Sequence, residues 1–318
     1  MKAARRALIT GINGQDGILL SDHLSKNGYE ILGIGTQEGK SSFLNPSVGY
    51  QKIDIRDTAT FTSVVDSFTP DSIYNLASIS SVARSFEKPE LTWEVNGYAV
   101  ANILESLFGK AHHPNLKFFQ ASSSEMFGLA AVEPQDEEVV FHPVSPYAES
   151  KVFALESCRK YRKQGYFVAS GIMYNHESIY RPKSFVTRKI TSGVAAIKKG
   201  EQSTLQIGNM YAERDWGYAG DYVEAMALIL HANEPDDFVI STGITHSVKD
   251  IVTIAFDEAG LGGRELEFLE LDEGLLRPKE VNRLVGNSTK AYEKLGWKSQ
   301  KTFEQLIREM VRYDLSAK

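Results

Sequence analysis

The sequence has a single cysteine, Cys158, among its 318 residues. One cysteine cannot form an intrachain disulfide, and no Cys/His cluster has the spacing of a zinc site, so we expect a reducing compartment and no metal. Long apolar runs are also missing. The stretch 225–230 is among the longest and is far too short to span a membrane. Residues 1–6 are basic, but the apolar run that follows is too short for a secretory signal, so we predict a cytoplasmic protein without a membrane partner.

The chain has little net charge. Its 35 Lys and Arg residues against 41 Asp and Glu residues give −6 at pH 7 and a pI near 5.7. A mildly acidic protein has no basic surface for nucleic acid, so we expect no nucleic-acid partner. An anionic substrate would have to be held by local arginines. At 35.4 kDa the chain is long enough to bury a substantial core.

Short apolar strand patterns alternate with helical periodicity along the first half of the chain. This alternation is typical of an α/β fold with a Rossmann-like, doubly wound parallel sheet. The predicted strands are 7–10, 31–35, 50–53, 72–76, 116–121 and 167–173, and the predicted helices are 15–27, 58–68, 92–108 and 146–164.

After residue 174 the alternation loosens, and no low-complexity linker interrupts the chain. We therefore predict a smaller C-terminal α/β substrate lobe, interleaved with the first domain. The dinucleotide-binding domain comprises 1–174 with parts of 208–243, and the substrate lobe comprises 175–207 and 244–318. The helices predicted in this half are 185–199, 248–259, 288–295 and 302–315, and the strands are 204–207 and 238–241.

Three glycines, Gly11, Gly14 and Gly17, lie between the first predicted strand and the first predicted helix. Glycines at such a turn allow close backbone approach to a pyrophosphate, and the free N–H groups and dipole of the helix attract the anion. The spacing is Gly-x-x-Gly-x-x-Gly rather than Gly-x-Gly-x-x-Gly. In its strand and helix context the triplet favours a dinucleotide site over an ordinary loop.

Tyr147 and Lys151 form a Tyr-x-x-x-Lys element. Residues four apart on a helix share a face, so Lys151 can lie beside the phenol of Tyr147. A nearby positive charge lowers the pKa of a phenol, which is otherwise near about 10, and so favours its use as a base. Ser145 as N-cap, Pro146 at the first helical position and Gly165 as a stop predict the helix. Taken alone, the element is more often a solvated helix face.

A hydroxyl and a carboxylate, Ser123 and Glu125, follow the predicted strand 116–121. Ligands of doubly wound sheets lie at the carboxyl ends of the strands, where these two side chains would meet the other strand ends. The alternative interpretation of Glu125 is a surface carboxylate. The residues that directly follow predicted strands are Gly11, Asp54, Ala77, Ser123 and Asn175.

The sequence resembles the extended short-chain dehydrogenase/reductase superfamily and, within it, the nucleotide-sugar dehydratases of the GDP-mannose 4,6-dehydratase family. The resemblance extends over nearly the whole chain, and the order of the NHES, FVTRK and RDWG blocks is specific to the dehydratase branch. The residues that carry it are 10–17 (TGINGQDG), 74–77 (YNLA), 120–128 (QASSSEMFG), 175–178 (NHES), 185–190 (FVTRKI), 214–217 (RDWG) and 221–226 (DYVEAM).

The resemblance implies conversion of GDP-mannose to GDP-4-keto-6-deoxymannose. Tyr147 would remove the C4 hydroxyl proton as hydride leaves C4, with Lys151 lowering the phenol pKa and holding the cofactor ribose. Ser123, where the family usually has threonine, would hydrogen-bond the C4 oxygen. Glu125 would take the C5 proton and assist loss of the C6 hydroxyl as water, after which the hydride returns to C6.

The resemblance also implies the residues that bind the two ligands, and we expect Glu280 to accept hydrogen bonds from guanine. The cofactor residues are Gly11, Gly14, Gln15, Asp16, Gly17, Lys40, Asp54, Ile55, Leu76, Ala77, Ser80, Tyr147, Lys151 and His176. The GDP-sugar residues are Asn175, Glu177, Val186, Lys189, Arg214, Arg277 and Glu280.

Three features of the sequence leave alternatives open. Residues 36–42 carry neither a clean NAD nor a clean NADP signature, so we expect NADP with NAD as the alternative. In the family the same loop contacts a neighbouring subunit. Its altered sequence here leaves two assemblies open, a homodimer and a homotetramer. Val144 stands where the family has arginine, and 179–183 also differ, so another GDP-sugar such as GDP-manno-heptose is an alternative substrate.

Two alternative functions are also open. The first is a nucleotide-sugar epimerase or ketoreductase, and the second is a noncatalytic dinucleotide-binding regulator.

Overall fold

The structure is a computed structural model that describes residues 4–272, 274, 281 and 283–317. Strands and helices alternate along its first half. The strands are β1 (Arg6–Thr10), β2 (Glu30–Gly35), β3 (Gly49–Lys52), β4 (Ser72–Asn75), β5 (Lys117–Ser123), β6 (Val168–Met173), β7 (Asn175–Glu177), β8 (Leu205–Ile207), β9 (Glu213–Tyr218), β10 (Asp237–Ile240), β11 (Thr245–Ser247), β12 (Leu269–Leu271) and β13 (Arg283–Leu284).

The helices flank these strands and connect most of them. They are α1 (Gln15–Lys26), α2 (Thr58–Phe68), α3 (Val82–Glu87), α4 (Pro89–Trp93), α5 (Ala99–Phe108), α6 (Pro146–Lys163), α7 (Val186–Lys199), α8 (Ala219–His231), α9 (Val248–Glu258), α10 (Thr289–Leu295) and α11 (Phe303–Ser316). A π-helical segment (Glu94–Tyr98) joins α4 to α5, and a 3-10 turn (Ser124–Met126) follows β5.

Seven parallel strands form the central sheet in the order β10-β6-β5-β4-β1-β2-β3. β4, β6 and β10 are buried along their whole length because helices cover both faces of the sheet. The predicted Rossmann-like α/β fold is confirmed, and each predicted strand lies within two residues of an observed one.

A second, smaller sheet has the order β11-β9-β13, and β7 pairs with β9 off this path. β8 and β12 form a separate parallel pair. The helices α7, α9 and α11 pack together beside these strands, around a core that includes Ile190, Ile251 and Ile307. Arg188 on α7 and Asp314 on α11 form a buried ion pair within this group. The second sheet therefore supplies a surface that faces the end of the central sheet through β7.

Several observed elements were not predicted. The apolar stretch at 225–230 belongs to α8, which packs against α1 on the central sheet. The short strands β7, β11, β12 and β13 have two or three residues, too few for a clear alternation of apolar and polar positions. β9 has six residues, but its sequence ERDWGY begins with three charged residues and shows no apolar run. The predicted helix 92–108 contains the π-helical segment, a form that occurs frequently at functional sites. No helix in the described part of the chain has both the length and the hydropathy to cross a membrane.

Candidate active site

The glycine turn at the end of β1 is shaped by close backbone contacts. Gly11 has a φ of +68°, and a Cβ atom there would lie 2.9 Å from the backbone nitrogen of Ala77. Gly14 is the N-cap of α1, and a Cβ at Gly17 would lie 2.5 Å from the carbonyl oxygen of Ile12. Larger residues at 11 and 17 would push α1 away from the strand ends. The turn thus brings the N–H groups at the start of α1 to the carboxyl edge of the sheet, where they can bind a phosphate.

Thr10 ties the glycine turn to the loop that follows β4. Its buried hydroxyl donates to Asn75 Oδ1 at 2.7 Å and accepts from the backbone N–H groups of Leu76 and Ala77 at 3.1 and 3.0 Å. Leu76 and Ala77, two of the predicted cofactor residues, are therefore held beside Gly11. Sequence reasoning missed Thr10 as a positioning residue, although a hydroxyl closing an otherwise apolar strand was its visible signal.

Asn96 in the π-helical segment holds the same loop at Ser78 and Ile79. Its side-chain oxygen accepts from Ile79 N at 2.8 Å, and its amide donates to the carbonyl oxygen of Ile79 at 3.1 Å. Ser78 donates to the same side-chain oxygen at 3.1 Å. Ser80, predicted to bind the cofactor, follows directly and is exposed at the surface of this loop.

Asp16 and His176 join the two sheets. The Asp16 carboxylate lies 2.9 Å from His176 Nε2, and Gln15 Nε2 donates to the backbone carbonyl of His176 at 3.0 Å. Burial would raise the pKa of Asp16, but the charge and hydrogen bond of His176 outweigh it and lower the pKa. Burial would likewise lower the pKa of His176, and Asp16 raises it instead. Three predicted cofactor residues therefore meet at one place, next to the start of α1.

The predicted catalytic residues meet at the carboxyl end of β5. Ser123 is the last residue of β5, and its hydroxyl accepts from the backbone N–H of Glu125 at 3.3 Å in the buried 3-10 turn. Tyr147 lies in the first turn of α6, where the Ser145 hydroxyl caps the helix by accepting from Ala148 N at 3.1 Å. The phenol of Tyr147 is hydrogen-bonded to Ser123, and the Glu125 carboxylate is close enough to act on it electrostatically.

Tyr147 does not have the lowered pKa that its spacing from Lys151 predicts. Burial raises the pKa of Tyr147 to about 12, and the hydrogen bond from Ser123 opposes that shift only in part. The ammonium of Lys151 lies 5.8 Å from the centre of the Tyr147 ring and donates to the carbonyl oxygen of Ala121 at 2.9 Å. Burial lowers the pKa of Lys151 itself to about 8. Desolvation of the phenol therefore dominates over the helix-face geometry that the spacing predicted.

The loop after β2 is folded onto itself. Lys40 Nζ donates to the carbonyl oxygens of Asn45, Pro46 and Val48 at 3.4, 2.7 and 2.9 Å, so its ammonium is engaged within its own loop. Asn13 in the glycine turn accepts from Ser41 N at 2.8 Å and anchors the loop. Asn13 is a further residue that sequence reasoning missed.

Asp54 and Ile55 follow β3 at the rim of the sheet. Asp54 pairs with Arg56 at 2.7 Å, and Arg56 also pairs with Glu94 at 2.7 Å. The hydrogen bond from Arg56 lowers the pKa of Asp54. Ile55 is buried beneath this ion-pair group, so its side chain contributes to the core and its backbone to the rim.

The predicted GDP-sugar residues lie on β7, α7 and β9. Glu177 is buried, accepts from the Thr187 hydroxyl at 2.6 Å and lies 3.3 Å from Arg181 Nε. Because β7 pairs with β9, Asn175 lies opposite Trp216 in the ladder, two positions from Arg214. Val186 begins α7 and is 39% exposed, Lys189 is half-buried on the same helix, and Arg214 is buried and donates to the carbonyl of Glu213 at 2.8 Å. Arg277 and Glu280 lie outside the described residues.

A family profile described as GDP-mannose 4,6 dehydratase matches residues 8–310. The chain belongs to the GDP-mannose 4,6-dehydratase family. GDP-mannose 4,6 dehydratase 1 of Arabidopsis thaliana is 40% identical over 333 residues, which cover 99% of this chain and 91% of the relative.

Solved structures share the fold of this family member. The UDP-glucose 4-epimerase of Thermus thermophilus in complex with NAD aligns with a TM-score of 0.85 at 26% identity, covering 98% of this chain and 99% of the other. RMD from Pseudomonas aeruginosa, complexed with NADPH, aligns with a TM-score of 0.83 at 23% identity, covering 98% and 99%. The fold is thus that of nucleotide-sugar enzymes of the short-chain dehydrogenase/reductase type.

Arg181 is a candidate residue that sequence reasoning noted only as a departure from the family pattern. Its guanidinium lies 3.7 Å from the centre of the Phe185 ring, beside buried Glu177. Its positive charge acts to lower the pKa of both Asp16 and Tyr147. The long-range electrostatic influence of Arg181 on two separate parts of the site could not be read from its position in the sequence.

Proposed function

We propose that this chain is a GDP-mannose 4,6-dehydratase that converts GDP-mannose to GDP-4-keto-6-deoxymannose. The observation that carries the proposal is the grouping of Glu125, Ser123 and Tyr147 at the carboxyl end of β5. Curated relatives that are 36–42% identical, over at least 97% of the chain, bear the same name. A carboxylate beside the serine and tyrosine favours elimination over simple epimerisation, which needs no acid at that position.

The residues at the edge of the sheet fit a nicotinamide dinucleotide. The turn at Gly11 leaves no room for a side chain, and the free N–H groups of α1 suit the pyrophosphate. Leu76 and Ala77 are held beside it by Thr10. When bound, the nicotinamide supplies reversible uptake of hydride from C4, which makes the C5 proton acidic.

Tyr147 and Ser123 act at C4 of the sugar. Tyr147 takes the proton of the C4 hydroxyl as the C4–H bond breaks, and Ser123 donates a hydrogen bond to the developing carbonyl oxygen. Because the phenol is buried and its pKa is about 12, it must be ionised within the complete complex. Arg181 and Ser123 both favour the phenolate, and Lys151 supports the fold of the site through Ala121 and remains available to the ribose.

Glu125 acts at C5 and C6. Its carboxylate accepts the C5 proton, which the neighbouring carbonyl has made acidic, and passes a proton to the C6 hydroxyl as that group leaves as water. Return of the hydride to C6 and delivery to C5 of the proton that Tyr147 took from the C4 hydroxyl then complete the deoxysugar and restore the phenolate. The cofactor ends in its starting state, so no external oxidant or reductant is consumed.

The nucleotide part of the substrate is proposed to lie along β7, α7 and β9. Arg214 and Lys189 supply positive charge for the diphosphate in an otherwise acidic protein, and Asn175 lies on the strand that pairs with the strand of Arg214. Glu177 is buried and already bound to Thr187, which suits a residue that shapes this pocket. Arg277 remains a proposed contact to GDP, and Glu280 remains a proposed hydrogen-bond acceptor for guanine.

We expect NADP to bind at least about tenfold more tightly than NAD. Uncharged Thr36 and Gln37 follow β2, and the carboxylate of Glu38 is paired with Lys52, so it does not oppose a ribose 2′-phosphate. Fluorescence titration of the free protein with each reduced cofactor measures the two dissociation constants. Tighter binding of NADH would instead identify Glu38 as a ribose ligand.

Product analysis separates the proposed reaction from its alternatives. Mass spectrometry of a reaction with GDP-mannose should show loss of one water and a 4-keto-6-deoxy product, without accumulation of reduced cofactor. GDP-manno-heptose should be converted more slowly. Faster turnover of the heptose would assign the chain to another GDP-sugar, and a product of unchanged mass would assign it to the epimerases.

Self-association and cytoplasmic location stay predictions. The rings of Trp93, Tyr98 and Phe153 pack together with centroids 5.6–5.8 Å apart, and Tyr98 is 51% exposed. This exposed aromatic face on α4 and α6 supports a homodimer or homotetramer through contact with a second copy of the chain.

A further inference from the structure

Asp66, His112 and His113 form a cluster on the surface opposite the candidate active site. Asp66 lies in the last turn of α2, which leads into β4, and the histidines lie in the turn that leads into β5. The cluster is therefore at the amino ends of strands whose carboxyl ends carry the catalytic residues. We propose that this cluster binds a divalent transition-metal ion such as Zn²⁺.

The ligand atoms have the separation that a zinc ion requires. His113 Nε2 lies 3.0 Å from Asp66 Oδ1, and His112 Nε2 lies 3.3 Å from the same oxygen. Ligand atoms from the three residues all lie within 4.8 Å of one another. Zinc bonds of about 2.0–2.1 Å in a tetrahedron place neighbouring ligand atoms about 3.3 Å apart. The two distances to Asp66 match this value, and the histidine rings, whose centroids lie 4.2 Å apart, would rotate to close all three ligands around one ion.

The hydrogen bonding of His112 calls for a positive charge at this place. His112 Nδ1 lies 3.3 Å from the backbone carbonyl oxygen of Ser106, which can only accept, so Nδ1 carries the hydrogen. In the neutral ring the lone pair of Nε2 then faces the Asp66 oxygen, and two acceptors repel. A metal ion between the two atoms, bound by both, resolves the repulsion. A histidine that donates Nδ1–H to a carbonyl and offers Nε2 outward is the usual arrangement of a metal ligand.

The backbone around the cluster is held in place without an ion. Lys110 and Ala111, directly before the histidines, have φ values of 57° and 55°, which are uncommon for residues other than glycine. Thr62 on α2 donates to the Ser106 hydroxyl on α5 at 3.0 Å, so the helix that carries Asp66 is joined to the helix that precedes the histidines. The ligands are therefore brought together by the fold itself, as preorganised metal sites require.

The ligand set indicates the kind of ion. Two imidazoles with one carboxylate suit Zn²⁺, Co²⁺ or Ni²⁺, whereas Mg²⁺ and Ca²⁺ prefer oxygen ligands alone. Asp66 and His112 are 46% exposed, which leaves a fourth position open to water. The expectation of no metal site came from the spacing of cysteines and histidines along the sequence. Asp66 and His113 are 47 positions apart, so only the folded chain brings them together.

Isothermal titration of Zn²⁺ into untagged, chelator-treated full-length protein, with excess Mg²⁺ present, tests the proposal. We expect one Zn²⁺ per chain with a dissociation constant on the order of micromolar. His113→Asn and Asp66→Asn should each weaken binding by about tenfold or more. His142→Gln is the matched control, because this exposed histidine lies outside the cluster, and it should bind Zn²⁺ as the parent does.

Thermal unfolding gives a second measurement that is independent of the dehydratase reaction. Saturating Zn²⁺ should raise the melting temperature of the parent and of His142→Gln by the same amount, and should raise that of the two cluster variants less. Absence of Zn²⁺ uptake by the parent would overturn the proposal. Equal uptake by the parent and both cluster variants would also overturn it.

Discussion

Glu125→Gln is expected to lower kcat by about a hundredfold or more, with KM changed by less than about threefold. Glutamine keeps the size and much of the hydrogen bonding of the buried side chain, but it cannot accept the C5 proton or return one to the C6 hydroxyl. Oxidation at C4 does not need Glu125. The variant should therefore form bound reduced cofactor from GDP-mannose in a single turnover and then stop, which stopped-flow absorbance of the reduced nicotinamide measures.

Glu149→Gln is the matched control for this substitution. Glu149 lies two residues after Tyr147 on the same helix, but it is exposed to solvent. Its removal changes the protein's charge by the same amount and should leave kcat near that of the parent. If Glu125→Gln retained a third or more of parental turnover, the elimination role of this carboxylate would be wrong.

Tyr147→Phe should lower kcat by on the order of 10²–10⁴ and should also abolish the single-turnover oxidation at C4. The phenol is the group proposed to take the C4 hydroxyl proton, so its loss stops the sequence one step earlier than the loss of Glu125. Burial raises the pKa of Tyr147 to about 12, and the active form is the phenolate. We therefore expect kcat/KM of the parent to rise as pH increases through the neutral range, since more of the phenol is ionised.

Tyr292→Phe serves as the control, because Tyr292 is an exposed tyrosine on α10, away from the carboxyl end of β5. It should retain the activity and the pH profile of the parent. A Tyr147→Phe variant that still forms reduced cofactor at the parental rate would show that another group takes the C4 proton.

Most of the central fold could be predicted because most strands there are compact apolar runs closed by a turn. β1, β2 and β6 are of this kind, and Ser145 with Pro146 predicts the start of α6 to the residue. The second sheet could not be predicted in the same way. Its strands have two to six residues, and they exist because the chain pairs residues far apart in sequence, as β13 does with β9.

The identity of the catalytic side chains could be predicted from the sequence, whereas their electrostatic properties could not. Ser123, Glu125 and Tyr147 could be proposed because they follow a strand end or begin a helix, where an α/β fold collects its functional groups. The electrostatics could not be predicted from spacing. Four-residue separation predicts that Lys151 lowers the pKa of Tyr147, but the pKa depends on how deeply the phenol is buried and on where the ammonium donates its hydrogen bonds.

Residues that position site residues, or change their pKa, could not be predicted from the sequence either. Thr10 and Asn96 make their contacts with segments that only the folded chain brings close. Arg181 acts electrostatically on Asp16 and Tyr147, which are far from it in the sequence. Lys40 illustrates the reverse case, because a lysine near serines suggests a phosphate ligand while the folded loop engages its ammonium with three carbonyl groups. A sequence indicates which side chains are present at the strand ends, and their partners depend on tertiary packing.

The central claim is that one site removes a hydride from C4 and returns it to C6 of the same sugar. GDP-mannose labelled with deuterium at C4 tests this most directly, with NMR and mass spectrometry of the product. We expect the deuterium at C6 of the 4-keto-6-deoxy sugar, with unlabelled cofactor recovered after turnover. Deuterium found in the released cofactor, or a product that keeps its C6 hydroxyl, would contradict the account.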